Sequence, residues 1–129
     1  MNQSAQQQLI HEALQVRTRA HAPYSQFHVG AALLSASGEI FAGCNVENAS
    51  YGLTMCAERV AVGVAVAAGH KQITAIAVAT AGAHSPCGAC RQVLSEFGPA
   101  MEILLVDADD PTQVRSTSLD QLLPEQFSL

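Results

Sequence analysis

Any fold of this chain has to carry Cys56 to Cys87 and Cys90. The segments Cys56-Ala57-Glu58 and Pro86-Cys87-Gly88-Ala89-Cys90 hold three thiols at spacings that suit one shared metal ion. Three protein ligands on zinc leave a fourth position for water, which is the catalytic arrangement; four protein ligands make a closed, structural site. Glu58, two residues from the first thiol, stands where a carboxylate can move the protons of that water. A Cys-x-x-Cys run alone also suits redox and structural zinc sites, so it is the combination that restricts the reading.

The order of elements shows how distant cysteines can meet. Leu9, Ile10, Ala13, Leu14 and Val16 form a helical apolar stripe, with Ser4 as its expected N-cap. Val29 to Ala36 and Glu39 to Cys44 read as strands joined in a hairpin through Ser37-Gly38. Residues 45–55 form a connection long enough to be functional. Ala57 to Ala68 reads as a helix ended by Gly69 and apolar on nearly every side, hence expected to be buried all round. Ile73 to Thr80 is a buried strand, Cys87 to Phe97 a helix stopped by Gly98-Pro99, and Met101 to Asp107 a further strand. After the Asp109-Asp110-Pro111 turn, Gln113 to Thr117 is a short last strand, and Ser118 with Gln121 fits a capping box for a final helical turn.

Two β-α-β crossovers follow, one through each cysteine-bearing helix. Right-handed crossovers over parallel strands place both helices on one sheet face. Their N-termini then lie at the carboxyl ends of strands, where ligands bind in open α/β sheets. Cys56 and Cys87 open these helices, and the positive helix ends favour thiolates. No crossover helix fits between Asp107 and Gln113, so the last two strands should be antiparallel.

Composition sets the surroundings. A chain of 129 residues suits one domain, 1–129, around one core. Apolar residues make up 49% and charged residues only 13%, which implies surface buried between subunits. A formal charge of −5 and the lack of a basic run argue against a nucleic-acid partner. No segment is long and apolar enough to span a bilayer, and the polar start from Met1 to Gln8 lacks an apolar signal core. The expected location is therefore the cytoplasm, where four cysteines read as ligands or buried thiols before disulfides.

Within the constellation, Arg59 is placed to hydrogen-bond ligand sulfurs and offset the negative charge of three thiolates; a surface arginine is the other reading. An isolated Glu in a first helical turn commonly serves only the helix dipole, but beside a metal ligand Glu58 is better read as the proton carrier. Cys44 offers a fourth ligand for a structural Cys₄ module, against which stands its reading as a buried free thiol. His11, His21, His28, His70 and His84 fit no ligand spacing with the cysteines. Asn48-Ala49-Ser50 matches a glycosylation sequon that carries no meaning in a cytosolic protein.

A Cys or His followed by x-Glu and later by Pro-Cys-x-x-Cys is the signature of zinc nucleobase deaminases. The chain resembles the small, three-cysteine, homotetrameric cytidine deaminases from about Leu9 to Phe127. The matching segments are Ala22 to Ala32, Gly43 to Tyr51, Cys56 to Arg59, Ser85 to Gln92 and Leu122 to Phe127.

The resemblance implies a three-layer α/β/α sandwich with a five-stranded mixed sheet, and one Zn²⁺ per chain on Cys56, Cys87 and Cys90. It implies hydrolysis of cytidine and 2′-deoxycytidine, with Glu58 as base and then acid during attack on C4. Asn45 and Glu47 would bind the ribose 3′-hydroxyl, Phe27 would pack on the pyrimidine, and the Ala57 N–H would meet the base carbonyl. Ala49, Tyr51 and Phe127 would reach a neighbouring subunit's site in a homotetramer. A deaminase for a cytosine-containing antibiotic nucleoside shares the zinc motifs, but the Asn45 and Glu47 pair argues against it.

Overall fold

The computed structural model describes residues Met1–Leu129. It contains α1 (Gln3–Arg17), the hairpin β1 (Gly30–Ser35) and β2 (Ile40–Cys44), and α2 (Ala57–Ala67). β3 (Ile73–Thr80), α3 (Gly88–Phe97), β4 (Glu102–Asp107), β5 (Val114–Ser118) and the short α4 (Leu119–Leu122) follow. One five-stranded sheet has the order β2-β1-β3-β4-β5. β3 and β4 are parallel, whereas the β1–β2, β1–β3 and β4–β5 pairs are antiparallel. Both crossovers are therefore present. β2 and β3 run in the same direction on either side of β1, and α2 bridges them.

The central strand explains the layers. β3 reads as a continuous apolar run because both faces of the sheet are covered. Ile76 and Val78 join Ile103, Leu105, Ala61, Ala65 and Leu94 in the core under α2 and α3. The alternate residues Ala75, Ala77 and Ala79 face Leu9 and Ala13 of α1. Small side chains on that face let α1 sit close to the sheet. α1 covers one face and α2 with α3 the other, which makes the three-layer α/β/α sandwich.

Close approach on the second face depends on Gly43 in β2. A Cβ there would lie 2.4 Å from the Ala61 nitrogen and 2.9 Å from the Ala57 oxygen, both in the α2 backbone. The missing side chain thus seats the helix that carries the first thiol and Glu58.

Three local expectations need correcting. The cap of α1 is Asn2, whose Oδ1 accepts the Ala5 N–H at 2.8 Å; Ser4 lies inside the helix. Ser118 and Gln121 form no capping box. The Ser118 hydroxyl donates to the Asp120 carboxylate and accepts no backbone N–H of the helix, and Gln121 Oε1 accepts from the Thr117 hydroxyl at 3.0 Å. α2 is not buried all round within one chain. Ala57, Glu58, Ala61, Val62 and Ala65 are covered, but Gly63 and Val64 face outward.

The 45–55 connection is tied down by bridges of Val46 to both His21 and Met55, with a 3₁₀ turn at Tyr51–Leu53.

Candidate active site

The two crossovers bring the N-termini of α2 and α3 together. Cys56 is the N-cap of α2 and Cys87 the N-cap of α3; Cys90 lies in the first turn of α3. The Sγ atoms of Cys56, Cys87 and Cys90 all lie within 4.8 Å of one another. Thiolates placed tetrahedrally on zinc at about 2.3 Å would stand roughly 3.8 Å apart, so the cluster fits one ion with little movement. Three sulfur donors at two positive helix ends suit zinc chemically as well. Cys44 at the end of β2 is outside this cluster, which removes the support for a closed Cys₄ module.

Charge within the cluster is uneven. The Cys56 thiol is lowered to about 5, first because the Cys90 thiol donates to it and then because Arg59 does. Arg59 Nη2 lies 3.2 Å from Cys56 Sγ. The same pairing pushes Cys90 in the other direction, well above the ordinary thiol value. Metal binding takes the cysteines as thiolates, so an incoming ion would release the remaining thiol protons.

Glu58 is 5% exposed. Burial raises its carboxyl to about 7, and the nearby Cys56 thiolate adds to the rise. A carboxyl balanced near neutrality can both take and give a proton at physiological pH.

Glu58, Cys56 and Cys87 line a cavity of about 210 Å³. Phe27, Val29 and Val78 make its apolar wall, while Asn45, Thr54, Thr80, His84 and Ser85 supply polar groups. Ala57 lines it from the first turn of α2, where helical N–H groups lack intrahelical partners.

Asn45 is buried with its amide turned to the backbone at the cavity wall. Nδ2 donates to the Phe27 carbonyl at 2.8 Å and Oδ1 accepts the Val29 N–H at 2.9 Å. Glu47 lies in an adjoining recess with Tyr24, Ser25, Tyr51 and Thr54, and Thr54 borders both spaces. The Glu47 carboxylate accepts the Ser25 hydroxyl and the N–H groups of Tyr24 and Ser25, which hold it below the usual carboxylate range.

Ala49, Tyr51 and Phe127 do not line the Glu58 cavity of their own chain. Ala49 and Tyr51 are exposed, with the Tyr51 ring packed edge-on against Tyr24 at 5.9 Å. Phe127 is 69% exposed and lies beside Gln92, Ser95 and Glu96 on α3.

Two residues of the site had no role in the sequence reading. Arg91 clamps the segment before Cys87. Its Nε donates to the Pro86 carbonyl at 2.8 Å, Nη2 to the Ser85 hydroxyl at 3.0 Å and Nη1 to the Leu122 carbonyl at 2.8 Å. Its place directly after Cys90 was the available signal. His84 lines the cavity beside Phe27, although its spacing excluded it as a metal ligand.

Comparison with known proteins agrees with this geometry. Residues 3–106 match the family described as the cytidine and deoxycytidylate deaminase zinc-binding region. The cytidine deaminase of Halalkalibacterium halodurans is 46% identical over 125 residues, covering 95% of this chain and 93% of that protein. A probable cytidine deaminase of Dictyostelium discoideum is 47% identical over 131 residues, covering 99% and 87%. The crystal structure of cytidine deaminase from Burkholderia pseudomallei superposes with a TM-score of 0.88 at 49% identity, covering 98% of this chain and 100% of that one.

Proposed function

The chain belongs to the cytidine and deoxycytidylate deaminase family, and on that premise we propose that it hydrolyses cytidine and 2′-deoxycytidine to the uridine nucleosides and ammonia. Water supplies the oxygen that ends on C4, and the exocyclic amine leaves with the balancing hydrogens. The observation that carries this reading is the buried Glu58 carboxyl, raised to about 7 beside three converging thiols.

Cys56, Cys87 and Cys90 would hold one Zn²⁺ per chain, which supplies a Lewis acid able to make water nucleophilic at neutral pH. Glu58 takes the water's proton on its carboxylate, delivers it to N3 of the ring and assists departure of the amine. Burial raises its carboxyl to about 7 in the metal-free chain, and a carboxyl with raised proton affinity suits one residue to serve as base and then as acid. Arg59 donates to Cys56 Sγ at 3.2 Å and helps to offset the negative charge of the ligand set.

Phe27 packs on the pyrimidine and, with Val29 and Val78, keeps bulk water from it. The Ala57 N–H receives the base carbonyl. Asn45 and Glu47 bind the ribose 3′-hydroxyl. Asn45 retains a second amide hydrogen beyond its bond to Phe27, and the recess at Glu47 adjoins the base cavity at Thr54.

The active form is a homotetramer with shared sites. Val64, Tyr51, Leu53, Met55 and Phe127 are large apolar residues exposed on one chain, and a closed oligomer would cover them. Ala49, Tyr51 and Phe127 then complete a neighbour's site. No helix is long and apolar enough to cross a membrane, and free thiols suit the reducing cytoplasm.

Incubation with cytidine should release ammonia and give uridine, with one zinc per chain measured on the same sample. CMP should react poorly, because the cavity lining contains no Lys or Arg to pair with a phosphate. A zinc-loaded protein that leaves cytidine intact, or prefers CMP, removes the nucleoside reading.

A further inference from the structure

His84 enters the cavity from the segment between β3 and α3, and the chemistry above gives it nothing to do. Its ring meets Phe27 edge-on, with centroids 5.7 Å apart and planes 70° apart. The segment that presents it is fixed at both ends. Asp107 Oδ1 accepts the Gly82 N–H at 3.0 Å, and the Thr80 hydroxyl accepts the His84 N–H at 2.7 Å.

Between these anchors, Gly82 (φ 91°) and Ala83 (φ 56°) are both left-handed. Glycine adopts that conformation freely, but alanine is disfavoured there by its Cβ. Such backbone strain persists where the surroundings hold it and concentrates at functional sites. Its effect here is to turn residue 84 toward the cavity.

The imidazole makes no hydrogen bond within the chain; only the His84 backbone is engaged. His70 is the contrast. It reaches the Ser37 hydroxyl at 3.3 Å and the Glu39 carboxylate at 3.2 Å, as a histidine that ties two loops together does. The ring of His84 is held by its backbone and by Phe27, and it faces the space where substrate would lie.

We propose that His84 is a specificity-determining residue of this site: its imidazole stands at an angle to Phe27 and makes a second aromatic wall in the corner of the cavity that takes the pyrimidine. Phe27 and His84, in edge-to-face contact, form a corner into which a flat heteroaromatic base packs with C4 toward the thiols and Glu58. The corner favours a planar ring and holds it before chemistry begins. The contribution therefore falls on binding and leaves the barrier for amine loss unchanged.

This inference rests on the nucleoside-deaminase reading, and one experiment separates the two. Wild-type turnover of cytidine decides the deaminase reading by itself. His84→Ala, His84→Phe and His84→Leu are then compared with wild type in steady-state kinetics, with zinc content measured on each. His84→Ala should raise KM for cytidine roughly 3- to 10-fold, the size of one lost aromatic contact, with kcat changed by less than about twofold. His84→Phe restores the wall and should keep KM near wild type, whereas His84→Leu should behave like His84→Ala. A KM unchanged in all three variants overturns the proposal. A parallel fall of kcat and zinc content in all three also overturns it, since that pattern marks a purely structural residue. Should His84→Ala fail to fold, equal KM values for His84→Phe and His84→Leu overturn it on their own.

Discussion

Glu58→Gln is expected to remove activity and, at alkaline pH, to make the metal-free protein more stable. The Glu58 carboxyl has an ordinary value of 4.5 and is raised to about 7 in the fold, chiefly by burial. Below pH 4.5 it is neutral whether folded or unfolded and affects stability little. As pH rises from 4.5 through 7, the unfolded chain releases its proton readily while the folded chain must ionise a buried group. Stability is therefore lost over that window, by about 3 kcal/mol once the pH is above 7. Glutamine has the same shape and no charge to bury, but its amide costs about 1 kcal/mol to desolvate. The net gain for Glu58→Gln is about 2 kcal/mol at pH 8.5, or roughly 5–8 °C in Tm for a chain of this size.

The assay is thermal unfolding of both proteins at pH 5 and pH 8.5, at matched concentration because oligomers stabilise by mass action. Zinc is stripped from both so that its charge does not act on the carboxylate. The gain should shrink toward zero at pH 5. Loaded with zinc, the variant should lose activity by a factor of about 10² or more, as removal of a general acid–base group does. Equal stability at pH 8.5, or a difference independent of pH, refutes the claim that burial sets the Glu58 proton affinity.

Metal analysis should find zinc retained in Cys44→Ala and lost in Cys87→Ala, since Cys44 lies outside the thiol cluster; the reverse result would restore the structural module. Arg59→Ala removes the 3.2 Å donor to Cys56, so the thiol value climbs from about 5 and protons compete better with metal. The pH of half-release of zinc during acid titration should move up by about one unit, and an unchanged midpoint counts against the role of Arg59. Gly43→Ala would force a Cβ to within 2.4 Å of the α2 backbone and should cost about 3 kcal/mol in chemical denaturation. Because Cys56 and Glu58 ride on α2, activity should fall with it; a fully stable, active Gly43→Ala protein would show that α2 shifts freely.

Much of the architecture can be read from local signals. The near-continuous apolar run Ile73–Thr80 marks a strand covered on both sides, and Cys56 and Cys87 sit where helices begin. The short connection after Asp107 leaves only an antiparallel return for β5. End details were less legible. Asn2 and Ser4 are both good caps, and the helix takes whichever lies at the point where the chain enters from outside. At Ser118 the hydroxyl is oriented toward the Asp120 carboxylate and caps no backbone N–H, an orientation that the residue types do not dictate.

The donor set, the carboxylate beside it and the crossovers that unite them are all written in the order of residues. These depend on residue identity and on spacings within single elements. Packing in three dimensions sets the proton affinity of Glu58, because desolvation depends on every residue around the carboxyl. It also decides that Asn45 holds the backbone at Phe27 and Val29, and that Arg91 ties Pro86 to Leu122 across the fold. His84 belongs in the same group, since two left-handed residues and two anchors aim its ring. Each of these joins residues far apart in the chain or depends on backbone direction in a loop, and no periodicity records either. Tyr51 and Phe127 show the same limit: neither lines the Glu58 cavity of its own chain, a placement that no spacing in the sequence records.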